Sequence, residues 1–272
     1  MRGMVPTRWP FYKIRQIRHK IAAASLLLPG LVGAADQLAD TTQLIVVTAK
    51  GWDSSRGVLE RYERLQRGTP WRLVGMRVPV LLGRNGLAWG EGEPIRKPQQ
   101  GPVKIEGDKR SPAGLFRIGP VYGAAPDSDP AVARLRMPYR RIAPGLECVD
   151  DPGSEEYNRI VMRPAQGAAA WRSAEKMAEL AVREYKWLAV VQQNPGRKPG
   201  QGSCVFLHVG NPRSAEAAGT GGCTALEEDD LTDLLAWLDV DRRPVLVQLP
   251  AASYTRITGP DATPLDLPER MQ

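Results

Sequence analysis

Cysteine and histidine are the residue types that could carry covalent chemistry, and one of each stands on either side of a short loop. Ser203-Cys-Val-Phe-Leu-His208 reads as a strand that delivers His208. Fourteen residues separate it from Cys223, which lies in Thr220-Gly-Gly-Cys-Thr-Ala-Leu226. The chemistry such a pair can do is acyl transfer. A thiol is mostly protonated at neutral pH, so a neighbouring imidazole must take its proton. The tetrahedral oxyanion then needs N–H donors, and Gly221 and Gly222 let the backbone turn its amides toward a substrate. Thr220 either lines the site or holds the turn. A helix opening at Glu227 places its positive end beside the thiol.

Other readings of the same residues stay open at this point. A cysteine and a histidine at this spacing in a chain of 272 residues also coincide by chance as core residues. Cys204 is a rival nucleophile on the same strand face as His208, but four strand residues span more than about 12 Å. Its apolar strand favours a core thiol or half of a disulfide. Three cysteines in an oxidising compartment mean one pair plus one thiol, or no pair. Pairing Cys148 with Cys204 would leave Cys223 free. No two cysteines stand at zinc-ligand spacing, so no metal is expected.

The elements that must position these residues come from patterning. The formal charge of +7 invites a nucleic-acid reading, but residues 1–35 hold six basic side chains and no acidic one. The rest carries 37 − 6 = 31 basic against 30 acidic groups, so no nucleic-acid surface is expected. A basic stretch to Lys20, an apolar run over 21–32 and small residues at 33–35 read as a cleaved secretory signal. The run is too short to span a bilayer comfortably. Residues 36–43 read as a linker, 44–250 as one domain and 251–272 as a poorly structured tail. Within the domain, Leu44–Thr48, Trp71–Leu82, Leu87–Gly92, Leu146–Val149, Arg159–Met162, Lys186–Gln192, Ser203–Val209 and Pro244–Leu249 read as strands. Helices are expected over Leu59–Arg67, Ser173–Trp187 and from Glu227, where Leu231, Leu234, Leu235 and Leu238 form a stripe. The fold expected is mainly β with a few helices, an α+β domain.

The stretch His208…Thr220-Gly-Gly-Cys223 resembles the signature of the L,D-transpeptidases with a YkuD domain, a His, a loop and then Ser/Thr-x-Gly-Cys. Gly107-Asp-Lys-Arg-Ser-Pro-Ala-Gly-Leu-Phe116 is similar to that family's Gly-Asp-x-x-[Ser/Thr]-Pro-x-Gly-x-Phe segment. Cys148-Val-Asp-Asp-Pro, Tyr157-Asn158 and Val245-Leu-Val-Gln-Leu-Pro250 also look familial, so the resemblance covers roughly residues 44–250. Gly221 stands where many members carry His, and Thr224 and Ala225 where Arg or Asn often follows the cysteine. The resemblance implies a mixed-sheet β-sandwich and a peptidoglycan L,D-transpeptidase that needs no cofactor. Cys223 would be the nucleophile and His208 the base, with the imidazole oriented by a backbone carbonyl near Val209 or Gly210. Amides near Gly222 and Cys223 would bind the oxyanion. The partners implied are peptidoglycan stem peptides in the periplasm or envelope. An L,D-carboxypeptidase, an amidase using the same acyl-enzyme, or a non-catalytic wall-binding protein are the alternatives. The Gly107–Phe116 segment is either a wall of the cleft or a turn that feeds a strand.

Overall fold

The structure, a computed structural model, describes Met1 and residues 38–93, 100–166, 170–258 and 266–268. The secretory signal read over residues 1–35 otherwise lies outside the described residues. From residue 38 onward the chain folds around one main core. Its centre is β1 (Gln43–Ala49), in which every residue is buried. The apolar run predicts this, because a strand covered on both faces has no polar side to alternate with. Removing any of Leu44, Ile45, Val46 or Val47 from water, all fully buried, stabilises the fold by about 1.5–3 kcal/mol each.

β1 pairs in parallel with β13 (Val245–Pro250) and antiparallel with β2 (Arg56–Glu63). β2 continues into β3 (Arg72–Leu81), which touches β12 (Thr224–Leu226) through Ala225↔Leu81. β12 runs parallel to β11 (Phe206–Val209), which is antiparallel to β10 (Trp187–Val191). On the other side β13 pairs with the long β5 (Ser111–Gly123), flanked by β4 (Leu87–Trp89) and β6 (Tyr139–Arg141). Because β5 also pairs with β10, the mixed sheet wraps back on itself and encloses its own core. A second sheet of three short strands, β7 (Leu146–Val149), β8 (Ile160–Met162) and β9 (Ala174–Lys176), has β7 in the middle. The wrapped mixed sheet is the mainly β fold expected. The helix α3 (Glu228–Trp237) buries Leu231, Leu234 and Leu235 on one stripe and carries three carboxylates in its first turn, where the helix dipole favours negative charge.

Several local expectations are overturned, each by tertiary pairing. Leu59–Arg67 is not a helix. Its first half is β2, held between two neighbours by the registers Leu44↔Tyr62 and Leu59↔Val78, and β-branched and aromatic residues fit that half-buried surface. Ser173–Trp187 is not one long helix either. Its start becomes β9, because Glu147↔Lys176 and Cys148↔Glu175 pair with β7. Only the single turn α2 (Met177–Leu180) is helical before a run of turns. The strand expected over Leu87–Gly92 is confined to Leu87–Trp89, which pairs in parallel with β5. The strand carrying His208 begins only at Phe206, because Cys204 takes a positive φ of 53°.

The segment at residue 38 does not behave as a linker. Leu38 and Thr41 are buried, and their carbonyls accept from Arg64, Nη2 at 2.6 Å and Nε at 2.9 Å. That guanidinium also pairs with Asp266 and lies 4.3 Å from the Trp71 ring centre. The tail is likewise more ordered than expected. Ala251–Thr258 forms the helix α4, burying Tyr254 and Ile257 one turn apart, and Tyr254 Oη donates to the Pro268 carbonyl at 2.7 Å.

Candidate active site

His208 and Cys223 are brought together by a strand ladder. β11 and β12 are parallel neighbours with Leu207↔Thr224 and His208↔Ala225 in register. Cys223 therefore lies two positions before the partner of His208, on the same face. Two strand residues along and one strand across put the two Cα atoms roughly 8 Å apart. Both side chains line one cleft of about 590 Å³, with Ala225, Tyr185, Glu175 and Lys104.

The turn that presents Cys223 is clamped from three sides. Thr220 N–H donates to the Leu82 carbonyl and Arg84 N–H to the Thr220 carbonyl, at 2.8 and 3.0 Å. This straps the turn to the end of β3. Thr220 Oγ1 donates to the Cys223 carbonyl at 2.6 Å and accepts from Gly222 N–H at 3.1 Å. Ser111 Oγ donates to the same carbonyl at 2.8 Å and accepts from Gly83 N–H at 2.8 Å. Gly83 must be glycine for this approach, since a Cβ there would come within 2.4 Å of the Lys109 carbonyl oxygen. Gly222 has a φ of 149°, a conformation that side chains resist. Thr224 and Gln248 complete the strap: Thr224 Oγ1 donates to Gln248 Oε1 at 2.7 Å, and Gln248 Nε2 to the Pro112 carbonyl at 2.8 Å.

The Cys223 sulfur touches the segment just before β11. Phe206 N–H donates to Sγ at 3.3 Å, and the thiol donates to the Cys204 carbonyl at 3.5 Å. Burial raises the thiol pKa well above its usual value, and the nearby Glu175 charge adds to this. The His208 Nδ1 lies 2.7 Å from the Val209 carbonyl. A carbonyl only accepts, so Nδ1 carries the hydrogen and Nε2 holds the free lone pair. Burial lowers the imidazole pKa, opposed by the Val209 bond and the Glu184 charge. The resting pair is thus a neutral thiol and a neutral imidazole.

Of the residues singled out from the sequence, Cys223, His208, Thr220, Gly221, Gly222, Val209 and Gly210 all line this cleft. Gly222 N–H is already engaged by Thr220 Oγ1, whereas neither Gly221 N–H nor Cys223 N–H has a partner among the described residues. Nothing lies within 4 Å of where a Cβ at Gly221 would be, so this position is open. Cys148 and Cys204 form a disulfide, and Cys223 is a free thiol.

Sequence reasoning missed Tyr185 and Glu175. Tyr185 lies edge-on to both Phe206 and His208, with ring centres 5.4 and 5.7 Å away, and its hydroxyl donates to Glu175. Burial pushes the Glu175 carboxyl up to about 7, the Tyr185 bond opposes this, and Asp150 and Glu106 add to it. Both residues sit in the stretch misread as one helix, which hid their meeting. The Gly107–Phe116 segment is structural at Asp108, which accepts from Ile105 N–H, Arg110 N–H and Lys104 Nζ at 3.0, 2.8 and 2.6 Å. Gly107, Lys104 and Lys109 in or beside it still line the cleft.

A mixed β-sheet wrapped on itself, with a thiol and an imidazole on adjacent strands of one cleft, has the parts required for thiol-dependent acyl transfer. Residues 64–247 match the L,D-transpeptidase catalytic domain, YkuD, and the chain belongs to that family. It is also similar to the crystal structure of the helical cell shape determining protein Pgp2 from Campylobacter jejuni. The identity is 12% and the TM-score 0.33, over 80% of this chain and 54% of that one. The chain thus spans about half the length of that protein. No curated protein gives a significant match.

Proposed function

We propose that this protein is a peptidoglycan L,D-transpeptidase with Cys223 as nucleophile and His208 as base. The observation that carries the reading is the anchoring of His208 Nδ1 on the Val209 carbonyl, which leaves the Nε2 lone pair free on a residue that lines the same cleft as Cys223. In the first step Nε2 takes the thiol proton and the sulfur attacks the carbonyl at the L-centre of a diamino acid in a tetrapeptide stem. Cys223 N–H faces the developing oxyanion. Collapse of the intermediate breaks the bond to D-Ala, whose leaving nitrogen receives the proton from the imidazolium. An acceptor amine then attacks the thioester, gives a proton to Nε2, and leaves as the new amide while the sulfur recovers a proton.

The thiol is buried, and burial favours its protonated form, so a base such as Nε2 is needed to remove the proton. The same thioester would yield an L,D-carboxypeptidase if water were the acceptor. Export fits both the composition of residues 1–35 and the Cys148–Cys204 disulfide, since such bonds persist in oxidising compartments. Among the described residues no helix is long and apolar enough to cross a membrane.

Mass spectrometry of residues 36–272 incubated with disaccharide-tetrapeptide, beside Cys223→Ala, tests the reading. Cross-linked dimer or D-amino-acid exchange that is lost in the variant is the expected result. Loss of D-Ala without a new bond makes the protein a carboxypeptidase. An unchanged substrate with no adduct on the protein overturns the assignment of Cys223.

A further inference from the structure

We infer that Cys148 is a positioning residue for Cys223, acting through its disulfide to Cys204; the catalytic part of this inference rests on the function proposed above. Both polar contacts of the Cys223 sulfur come from residues 204–206, the Phe206 N–H and the Cys204 carbonyl. These two contacts differ in how firmly they are held. Phe206 is fixed in the sheet by its pairing with Val190 on β10. Cys204 precedes the strand, and its φ of 53° is a conformation that a residue with a Cβ resists. Something must hold it there.

Two ties do so. The disulfide reaches Cys148 on β7, and Cys204 N–H donates to Asn158 Oδ1 at 3.0 Å. Asn158 in turn anchors itself by donating from Nδ2 to the Gln193 and Asn194 carbonyls, both at 3.0 Å. Cys148, Cys204 and Cys223 pack in one buried cluster with Tyr185 and Phe206. The Cys204 carbonyl accepts the thiol hydrogen and so favours the protonated thiol. Release of the disulfide lets Cys204 relax toward negative φ and swing that carbonyl away. Cys223 would then lose its acceptor while keeping the Phe206 donor, becoming more readily ionised and less well aimed. Formation of the bond converts two thiols to a disulfide with loss of two protons, and two electrons pass to an oxidised dithiol partner by exchange. A productive site then depends on that prior oxidation.

Two variants with Cys223 as their sole cysteine separate positioning from bulk stabilisation, Cys148→Ala with Cys204→Ala, and Cys148→Ala with Cys204→Gly. They differ in what the left-handed conformation costs, because glycine adopts it freely. The readouts are the iodoacetamide alkylation rate of Cys223 and its pH profile, together with release of D-Ala. The titratable groups that line the cleft around the sulfur (His208, Tyr185, Glu175, Glu184, Lys104, Lys109, Glu106 and Asp150) are unchanged in both. In the Ala variant, alkylation at pH 7 should rise about fivefold, its midpoint should fall, and D-Ala release should drop by a similar factor. In the Gly variant both rates should stay within about twofold of the parent.

Should the double variants fold poorly, mild reduction of the parent protein with peptide-resolved alkylation of Cys223 should reproduce the rise. An Ala variant alkylated at the parent rate, or a Gly variant alkylated as fast as the Ala variant, overturns the proposal. If neither parent nor variants release D-Ala while the alkylation pattern holds, the positioning role stands and the proposed function fails.

Discussion

The Cys223 carbonyl accepts two hydrogen bonds, from Ser111 Oγ at 2.8 Å and Thr220 Oγ1 at 2.6 Å, and this sharing makes a quantitative prediction. Ser111→Ala removes one donor and also strands Gly83 N–H, whose acceptor is Ser111 Oγ. Ser111 is fully buried. One lost bond and one orphaned buried donor cost about 2–3 kcal/mol together. Thr220→Val keeps the shape, removes the other donor from a half-buried threonine and frees the N–H of the buried Gly222, costing about 1–2 kcal/mol. Each single variant leaves the carbonyl with one partner. The double variant leaves it with none, a penalty that neither single change incurs. The loss should therefore exceed the sum of the singles by about 1 kcal/mol. Urea denaturation of the four proteins measures this as shifts in midpoint at constant slope. Additivity within about 0.5 kcal/mol would refute the view that the two hydroxyls share the support of the turn that presents Cys223.

Other expectations follow from the electrostatics and the clamps. Glu175 is raised from its usual 4.5 to about 7 by burial, so the folded state holds a proton that the unfolded chain has lost. Stability should fall as pH rises from about 4.5 to 7, by an amount on the order of 3 kcal/mol, and level off above; Glu175→Gln should flatten that slope in denaturation curves across this range. The imidazole of His208 is held below its usual pKa, so it stays a base below pH 6.5, and the acid limb of the D-Ala release profile should lie below that value; a limb above 6.5 would contradict the neutral pair. Thiol titration of the denatured, unreduced protein should find one thiol, and three after reduction. Arg64→Met should cost about 2–3 kcal/mol in urea melts, since it strands the Thr41 carbonyl, leaves the Leu38 carbonyl with only the Thr41 N–H, and unpairs the half-exposed Asp266 carboxylate.

The sequence made legible what depends on local pattern. The all-apolar β1, the stripe of α3 and the turn before Cys223 follow from residue type alone. What it concealed depends on long-range pairing. Ser173–Trp187 has helical spacing, yet β9 is pulled out of it by a neighbour that cannot be read from that stretch. As a result Glu175 and Tyr185, ten residues apart, were not seen to meet. Cys204 looked like an ordinary strand residue because its positive φ is imposed by the disulfide and Asn158. The Gly107–Phe116 segment was legible as a motif, but Ser111 was not, because its partner lies 112 residues away.

The loop between β11 and β12 has a consequence for how such a site can change. It is held from outside by Arg56, which donates to the Pro212, Ser214 and Ala217 carbonyls at 2.6, 2.7 and 3.1 Å, while the ladder and the clamped turn at Thr220–Cys223 set the offset between His208 and Cys223. Lengthening a flexible loop is inexpensive, with each doubling costing about 0.6 kcal/mol. Residues from Asn211 to Ala218 can therefore be exchanged, extended or trimmed, whereas Gly219, where a Cβ would come within 2.7 Å of Arg84 Cα, must stay glycine. The connection and the spacing of the two reactive side chains are thus set by separate parts of the chain, so the one can be rewritten while the other stays fixed.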